Sequence, residues 1–224
     1  MLVFDADDTL WENNQRFDRT FTAFVDWLAA RSVPAARVRD VFATLERENT
    51  RRHGYGSAVF IGSLRDTFGQ ILGRPASAEE SAHIDTLVED LRRNRVEPVP
   101  GAVETLRELA SRHRLILLTK GIDAEQQAKI DTSGLASFFD VILIVAEKDV
   151  STYQDLIARQ DLDAGTTWMI GNSPQSDVNP ARAAGLNAVY IPNPNTWALE
   201  HDEIDHSDPA ILELTAIAQL TQHF

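Results

Sequence analysis

The chain has 224 residues, 43% of them hydrophobic, enough for a substantial core and too apolar for a disordered polymer. Acidic residues outnumber basic ones 34 to 21, and the net charge of −13 argues against nonspecific binding to nucleic acid or to an anionic membrane. Cysteine is absent, which excludes a disulfide framework and a thiolate metal centre, and no apolar run approaches the ~20 residues of a membrane span.

The first ten residues, MLVFDADDTL, set the reading of the rest. They carry acids where a secretory signal needs a basic segment and a long apolar run, so the expectation is a cytoplasmic protein. Leu2-Val3-Phe4 reads as a buried strand that stops at Asp5, Asp7 and Asp8, with Thr9 and Leu10 closing the turn. In a parallel sheet this loop lies at the carboxyl end of the strand, where α/β folds keep their sites. Asp5 and Asp7 then face one crevice. Two carboxylates so close raise one pKa unless a cation lies between them, so the stretch asks for a metal or for one neutral acid. The simpler reading is that the acids cap the following turn.

From Trp11 to about Arg95 the pattern is helical. Phe17, Phe21, Phe24, Val25 and Leu28 share one helical face. Pro34 precedes a second helix with Val38, Val41, Phe42 and Leu45. His53-Gly54-Tyr55-Gly56 interrupts as a loop. A third helix carries Val59, Phe60, Leu64, Phe68 and Leu72. Ser77 and Glu80 form a capping box for a fourth, lined by Ile84, Leu87, Val88 and Leu91. Four helices without an intervening strand read as an inserted bundle.

After Pro98 and Pro100-Gly101, helix and strand alternate. Val103, Leu106 and Leu109 mark a helix, and Leu115–Leu118 a strand ending at Thr119-Lys120-Gly121. Ala124–Ser133 is helical. Val141–Val145 is a strand followed by Glu147-Lys148, and Ser151 with Gln154 caps the next helix. Thr167–Ile170 is a strand ending in Gly171-Asn172-Ser173. A helix over Asp177–Ala184 and a strand over Ala188–Ile191 follow. Asp208-Pro209 is expected to start a closing helix. The fold class is α/β: a doubly wound, Rossmann-like parallel sheet with an inserted all-α helical bundle. The expected division is 1–12 with 98–224 as the core and 13–97 as the insert.

Four strand ends carry polar chemistry: Asp5/Asp7/Thr9, Thr119-Lys120-Gly121, Lys148, and Gly171-Asn172-Ser173 with Asp177. Taken singly, Thr119 reads equally as an ordinary strand-end threonine and Asp177 as a helix cap. Lys148 stands out by composition. Lysine occurs only at positions 120, 129 and 148 among 21 basic residues, so a merely solvated cation would be arginine. Lys120 gains less from the same argument, and Lys129, on a helix, is expected to be solvated.

In order, FDADDTL, LILLTKG, EKDVSTY and MIGNSPQSD resemble the four motifs of the haloacid dehalogenase superfamily, with the helical insert in the place of that family's cap. The resemblance implies a Mg²⁺-dependent phosphohydrolase of a small phosphorylated metabolite. Asp5 would be the nucleophile that becomes an aspartyl-phosphate, and Asp7 the acid and base. Asp5, the carbonyl of Asp7 and Asp177 would hold Mg²⁺. Thr119, with Thr9, Lys120, Gly121, Asn172 and Ser173, would bind phosphate, and Lys148 would neutralise developing charge. Two departures stand out: Asp149 follows Lys148 where many relatives have proline, and Asn172 replaces an aspartate. An amide can bond a metal-bound water but brings no charge. Over Asn49–Gly56, expected to join two helices of the insert, Tyr55 would pack on the leaving group while Arg51, Arg52 or His53 reads its polar end. A solvated loop is the other reading of that stretch. Alternatives within the fold are a phosphomutase and a haloacid dehalogenase, which would need neither Mg²⁺ nor Asp7. A phospho-receiver-like binding module is the alternative outside catalysis.

Overall fold

The computed structural model describes residues 1–93 and 95–224, in two compact units. Met1–Asn14 and Val96–Phe224 form one, and Gln15–Arg95 the other.

The first unit is a six-stranded parallel sheet. Its strands are β1 (Leu2–Phe4), β2 (Leu115–Lys120), β3 (Val141–Val145), β4 (Trp168–Gly171), β5 (Asn187–Tyr190) and β6 (Ile211–Glu213). The order is β3-β2-β1-β4-β5-β6. Leu2 lies opposite Leu115 on one side and Trp168 on the other, so β1 sits at the point where the strand order reverses. Crevices in open α/β sheets form at that point, beyond the carboxyl ends of the strands.

Both sheet faces are buried, which explains why the strands read as continuous apolar runs. Side chains alternate between faces. Leu2, Phe4, Leu115 and Leu117 pack toward α6 (Ala102–Ala110) and α7 (Asp123–Ser133), through Leu106, Leu109 and Ile130. Val3, Ile116, Leu118 and Met169 pack toward α8 (Val150–Gln160) and α9 (Asn179–Ala183), through Tyr153, Leu156 and Ala181.

The end of the chain departs from the sequence expectation. Asp208-Pro209 starts no helix. The Asp208 carboxylate accepts from the Ala210 amide at 2.9 Å and pairs with Arg182 at 2.8 Å, which makes a turn. The apolar residues after it then extend the sheet as β6, and a 3₁₀ helix, Ile217–Gln222, buries Ile217 and Leu220 in the core. The helix at α8 is capped by Asp149, whose carboxylate accepts from the Thr152 amide at 2.8 Å, and not by Ser151. This is the local use of the residue where proline was expected.

The second unit is helical. It contains α1 (Asn14–Ala29, which begins in the first unit), α2 (Ala35–His53), α3 (Ser57–Leu72), α4 (Ala78–Leu87) and α5 (Glu89–Arg92). The expected fourth helix is two pieces, because Val88 leaves helical geometry at φ −94°, ψ 2°. The core holds Phe24, Leu28, Phe42, Leu64, Phe68 and Ile84. Phe21 stacks on Phe42, and Phe17 and Phe42 meet Phe60 edge-on, so aromatic contacts fix the crossing of α1, α2 and α3. Among the described residues no helix is long and apolar enough to cross a membrane.

The α4 cap is reciprocal: the Glu80 amide donates to Ser77 Oγ and the Ser77 amide to Glu80 Oε2. Hydrogen bonds from Arg74, then from the Ser77 amide, hold the Glu80 carboxyl down at about 2. Ser77→Ala is expected to cost about 1 kcal/mol of local stability, read from hydrogen exchange of the α4 amides. The Glu80 carboxyl is depressed in the fold, so its stabilisation is present above its ordinary value of 4.5 and is lost as pH falls toward about 2. Protection of α4 should decline across that window in the native chain, and much less in Glu80→Gln.

Candidate active site

The site is built on β1. The Asp5 amide continues the ladder to the Ile170 carbonyl at 2.9 Å, which carries the side chain past the sheet edge. Lys148 reaches the same place from the loop after β3. Its ammonium donates to Asp5 Oδ1 and, at 2.8 Å, to Asp177 Oδ1. Lys148 is 2% exposed and Asp177 1%. Burial works against the ammonium charge, but Asp177 and Asp5 outweigh it and the Lys148 pKa is raised. Burial, then the Asp177 charge, push Asp5 up to about 7 despite Lys148.

Asp177 is set by local geometry. β4 ends at Gly171, and a single π-helical turn, Pro174–Val178, follows. Such turns recur at functional sites because they redirect one side chain. Asp177 Oδ2 accepts from the Ser173 amide at 3.0 Å. A Cβ on Gly171 would stand 2.1 Å from that oxygen, so only glycine admits the carboxylate. Tyr153, in the third motif, holds the turn from below by donating to the Ser176 carbonyl at 2.8 Å.

Thr119 and Gly121 stand at the end of β2. Gly121, at φ +143°, adopts a backbone that other residues avoid. Thr119 Oγ1 accepts from Gln126 Nε2 at 2.5 Å. The Lys120 side chain turns to Glu200 at 2.6 Å and Ser176 at 2.7 Å, and Glu200 accepts in turn from the Ser173 and Ser176 hydroxyls. Asn172 is held in a loop lock: its Oδ1 accepts from Thr9 at 3.1 Å and its Nδ2 donates to Thr196 at 2.8 Å. The third acid of the opening motif, Asp8, does cap a turn. Its carboxylate accepts from the Asn13 and Asn14 amides at 2.9 Å, at the start of α1.

One expectation is overturned. Lys129 is not solvated: it is 3% exposed and its ammonium meets Asp7 Oδ2 at 2.8 Å. Sequence reasoning also missed Gln126, Glu200, Trp11 and Thr196. The scarcity of lysine would have found Lys129, since all three lysines turn into this region. No sequence signal marks Glu200.

The residues expected to read the leaving group lie in the second unit. Arg51, Arg52 and His53 form the exposed last turn of α2, where a loop from Asn49 was expected, and only Gly54–Gly56 is non-helical between α2 and α3. No glycine or proline interrupts α2 before Gly54, and the helix stops where Gly54 takes φ +82°. Tyr55 is half-buried in that turn.

The donor set suits a hard divalent cation. Asp5 Oδ2 is buried and has no hydrogen-bond partner. Two buried carboxylates share one ammonium, which leaves one negative charge uncompensated. No group of three acidic or imidazole side chains surrounds a point among the described residues. Mg²⁺ needs fewer, since it keeps several waters and takes carbonyl oxygens.

Residues 1–185 match the sequence model of the haloacid dehalogenase-like hydrolases. The chain is 27% identical over 225 aligned positions to a probable phosphatase, IndB, of Dickeya dadantii, covering 95% of this chain and 88% of that one. It is 31% identical over 141 positions to a phosphoserine phosphatase of Thermus thermophilus, covering 60% of this chain and 57% of that protein. A haloacid dehalogenase-like family hydrolase from Xanthomonas campestris superposes with a TM-score of 0.83 at 28% identity, over 99% of this chain and 88% of the other.

Lys148→Met should destabilise the first unit by about 3–5 kcal/mol in urea denaturation, because it leaves two buried carboxylates facing each other. Adding Asp177→Asn should recover part of that loss. An unchanged midpoint for Lys148→Met would show that the ion pair is not buried as described.

Proposed function

Because the chain belongs to the haloacid dehalogenase-like hydrolase family, we propose that it hydrolyses the phosphoric monoester of a small metabolite through an aspartyl-phosphate on Asp5. The observation that carries this reading is the buried, unpartnered Asp5 Oδ2 beside Lys148 and Asp177. With Oδ1 on Lys148 and Oδ2 without a hydrogen-bond partner, the Asp5 carboxylate keeps lone pairs for a bound phosphoryl group and a cation. Phosphatase relatives such as those of Dickeya dadantii and Thermus thermophilus support the same class of reaction.

In the first half-reaction, the Asp5 oxygen forms a bond to phosphorus as the ester P–O bond breaks. Asp7 gives its proton to the departing alkoxide. In the second, water attacks the phosphorus of the acyl-phosphate, Asp7 takes a proton from that water, and Asp5 is released with inorganic phosphate. Lys148 places its positive charge where the nucleophile meets the phosphoryl oxygens. Thr119 and the amide of Lys120 bind those oxygens, beside Thr9, Asn172 and Ser173, while the Gly121 amide stays in the sheet on the Val145 carbonyl at 2.9 Å. Mg²⁺, held by Asp5, the Asp7 carbonyl and Asp177, would supply further positive charge to the transferring group when bound.

The helical unit acts as a cap in this reading. Two adjacent arginines and a histidine end α2 in a protein of net charge −13, and Tyr55 follows between two glycines. This supports a role for Arg51, Arg52, His53 and Tyr55 in reading the leaving group rather than in the chemistry.

Two tests follow from this reading. Turnover of a panel of small phosphate esters should require Mg²⁺, vanish in EDTA, return with the metal, and be absent in Asp5→Asn. Full turnover in chelator would overturn the assignment. Tyr55→Ala or Arg51→Ala should lower kcat/KM for the best substrate ~10–100-fold, while a minimal generic ester changes far less. Equal losses on both esters would remove the cap loop from substrate selection.

A further inference from the structure

Three side chains beside Asp7 have no part in the chemistry above, and all three donate to it. Trp11 Nε1 meets Oδ1 at 2.7 Å. Lys129 Nζ and Gln126 Nε2 meet Oδ2 at 2.8 Å and 3.3 Å. Trp11 lies in the same loop as Asp7, but Gln126 and Lys129 come from α7, more than a hundred residues away.

Lys129 is an expensive residue to bury. An ammonium withdrawn from water must be paired and hydrogen-bonded to be tolerated. Here it has two partners, Asp7 and Asn13 Oδ1 at 2.9 Å. Both lie in the segment that follows β1, so Lys129 ties α7 to the loop that bears the acid. Gln126 is one helical turn earlier, on the same face. Its amide nitrogen also donates to Thr119 Oγ1. One side chain therefore links the acid to the threonine at the end of β2. The Asp7 side chain is 24% exposed, so burial alone does not fix it; these donors select its orientation.

We propose that Lys129 and Gln126 are positioning residues for Asp7. They aim its carboxyl at the leaving-group oxygen and hold that aim in register with the phosphate-binding Thr119. The inference rests on the reading of Asp7 as the acid and base of a phosphatase. It concerns orientation, where a displacement of ~1 Å is enough to cost about 100-fold in rate.

The test is a mutant cycle of Asp7→Asn, Lys129→Met and the double variant, in the full chain with Mg²⁺. Release of the leaving group is followed in a single turnover, from an alkyl phosphate and from p-nitrophenyl phosphate. Lys129→Met should slow release from the alkyl ester ~10–100-fold, and from the activated ester much less. KM should stay within about threefold, since no substrate contact is removed. In the Asp7→Asn background, Lys129→Met should add nothing, because coupled residues are not additive. Lys129→Gln, neutral but still a donor, should retain more of the rate than Lys129→Met. If Lys129→Met fails to fold, Gln126→Leu carries the same cycle. Losses that multiply in the double variant, or that are equal on both esters, overturn the inference alone, provided Asp7→Asn itself shows leaving-group dependence. If Asp7→Asn lacks that dependence, the reading of Asp7 as acid falls and the positioning role falls with it.

Discussion

A buried ammonium between two carboxylates is the constraint on which this site depends. Lys148 bonds Asp5 and Asp177 where almost no solvent reaches. Such a cluster is costly to assemble, and it persists only where several elements hold it together. Each element is traceable. β1 pushes Asp5 past the sheet edge, the loop after β3 delivers Lys148, and the π turn delivers Asp177. Gly171 is bare because the Asp177 carboxylate occupies the space of a side chain. Tyr153 then braces the turn from α8. The geometry thus links residues from three different strand ends, and none of the three side chains can move without leaving charge unpaired.

The sheet, the helical insert and the polar residues that meet at the sheet edge were legible in the sequence for a physical reason. Parallel strands buried on both faces are apolar runs, and their polar ends are abrupt, so Asp5, Thr119, Lys148 and Asp177 were each visible at the close of a run. Parallel order then brings those ends to one edge. What failed were readings that depend on a distant partner. Asp208-Pro209 looks like a helix start, but Arg182 takes the aspartate and β5 offers its free edge. Arg51, Arg52 and His53 looked like a loop because of the glycines after them, yet they have no local reason to leave the helix. Lys129 looked solvated because a helix position shows nothing of what faces it across 122 residues of chain.

The two departures in the motifs resolve into structural work. Asp149 caps α8, so the third motif keeps its lysine and gains an ordered helix start in the same step. Asn172 both accepts and donates, linking Thr9 to Thr196 across the site. A carboxylate there could accept from both hydroxyls but could not donate. The amide therefore exchanges a negative charge for a fixed direction of bonding. Glu200 adds a half-buried acid nearby, paired with Lys120 and lowered in pKa by that pairing against the cost of its partial burial.

The attachment of the helical insert has a consequence for modularity. The chain leaves the sheet unit through Leu10–Glu12 and returns through Glu97–Val99, and these segments run antiparallel. Val99 donates to the Leu10 carbonyl at 2.9 Å and Glu12 to the Glu97 carbonyl at 3.1 Å, with Trp11 opposite Pro98. That is the geometry of a β-hairpin ribbon, for which a turn of about two residues is sufficient closure. The whole helical unit therefore occupies the position of a hairpin tip, the kind of site where chains accept added length most readily. Exchange of one insert for another at this junction needs no change in the strands that carry Asp5, Thr119, Lys148 and Asp177. The sheet edge that gathers these residues and the helical unit are thus separable in the covalent plan of the chain, free to vary at different rates.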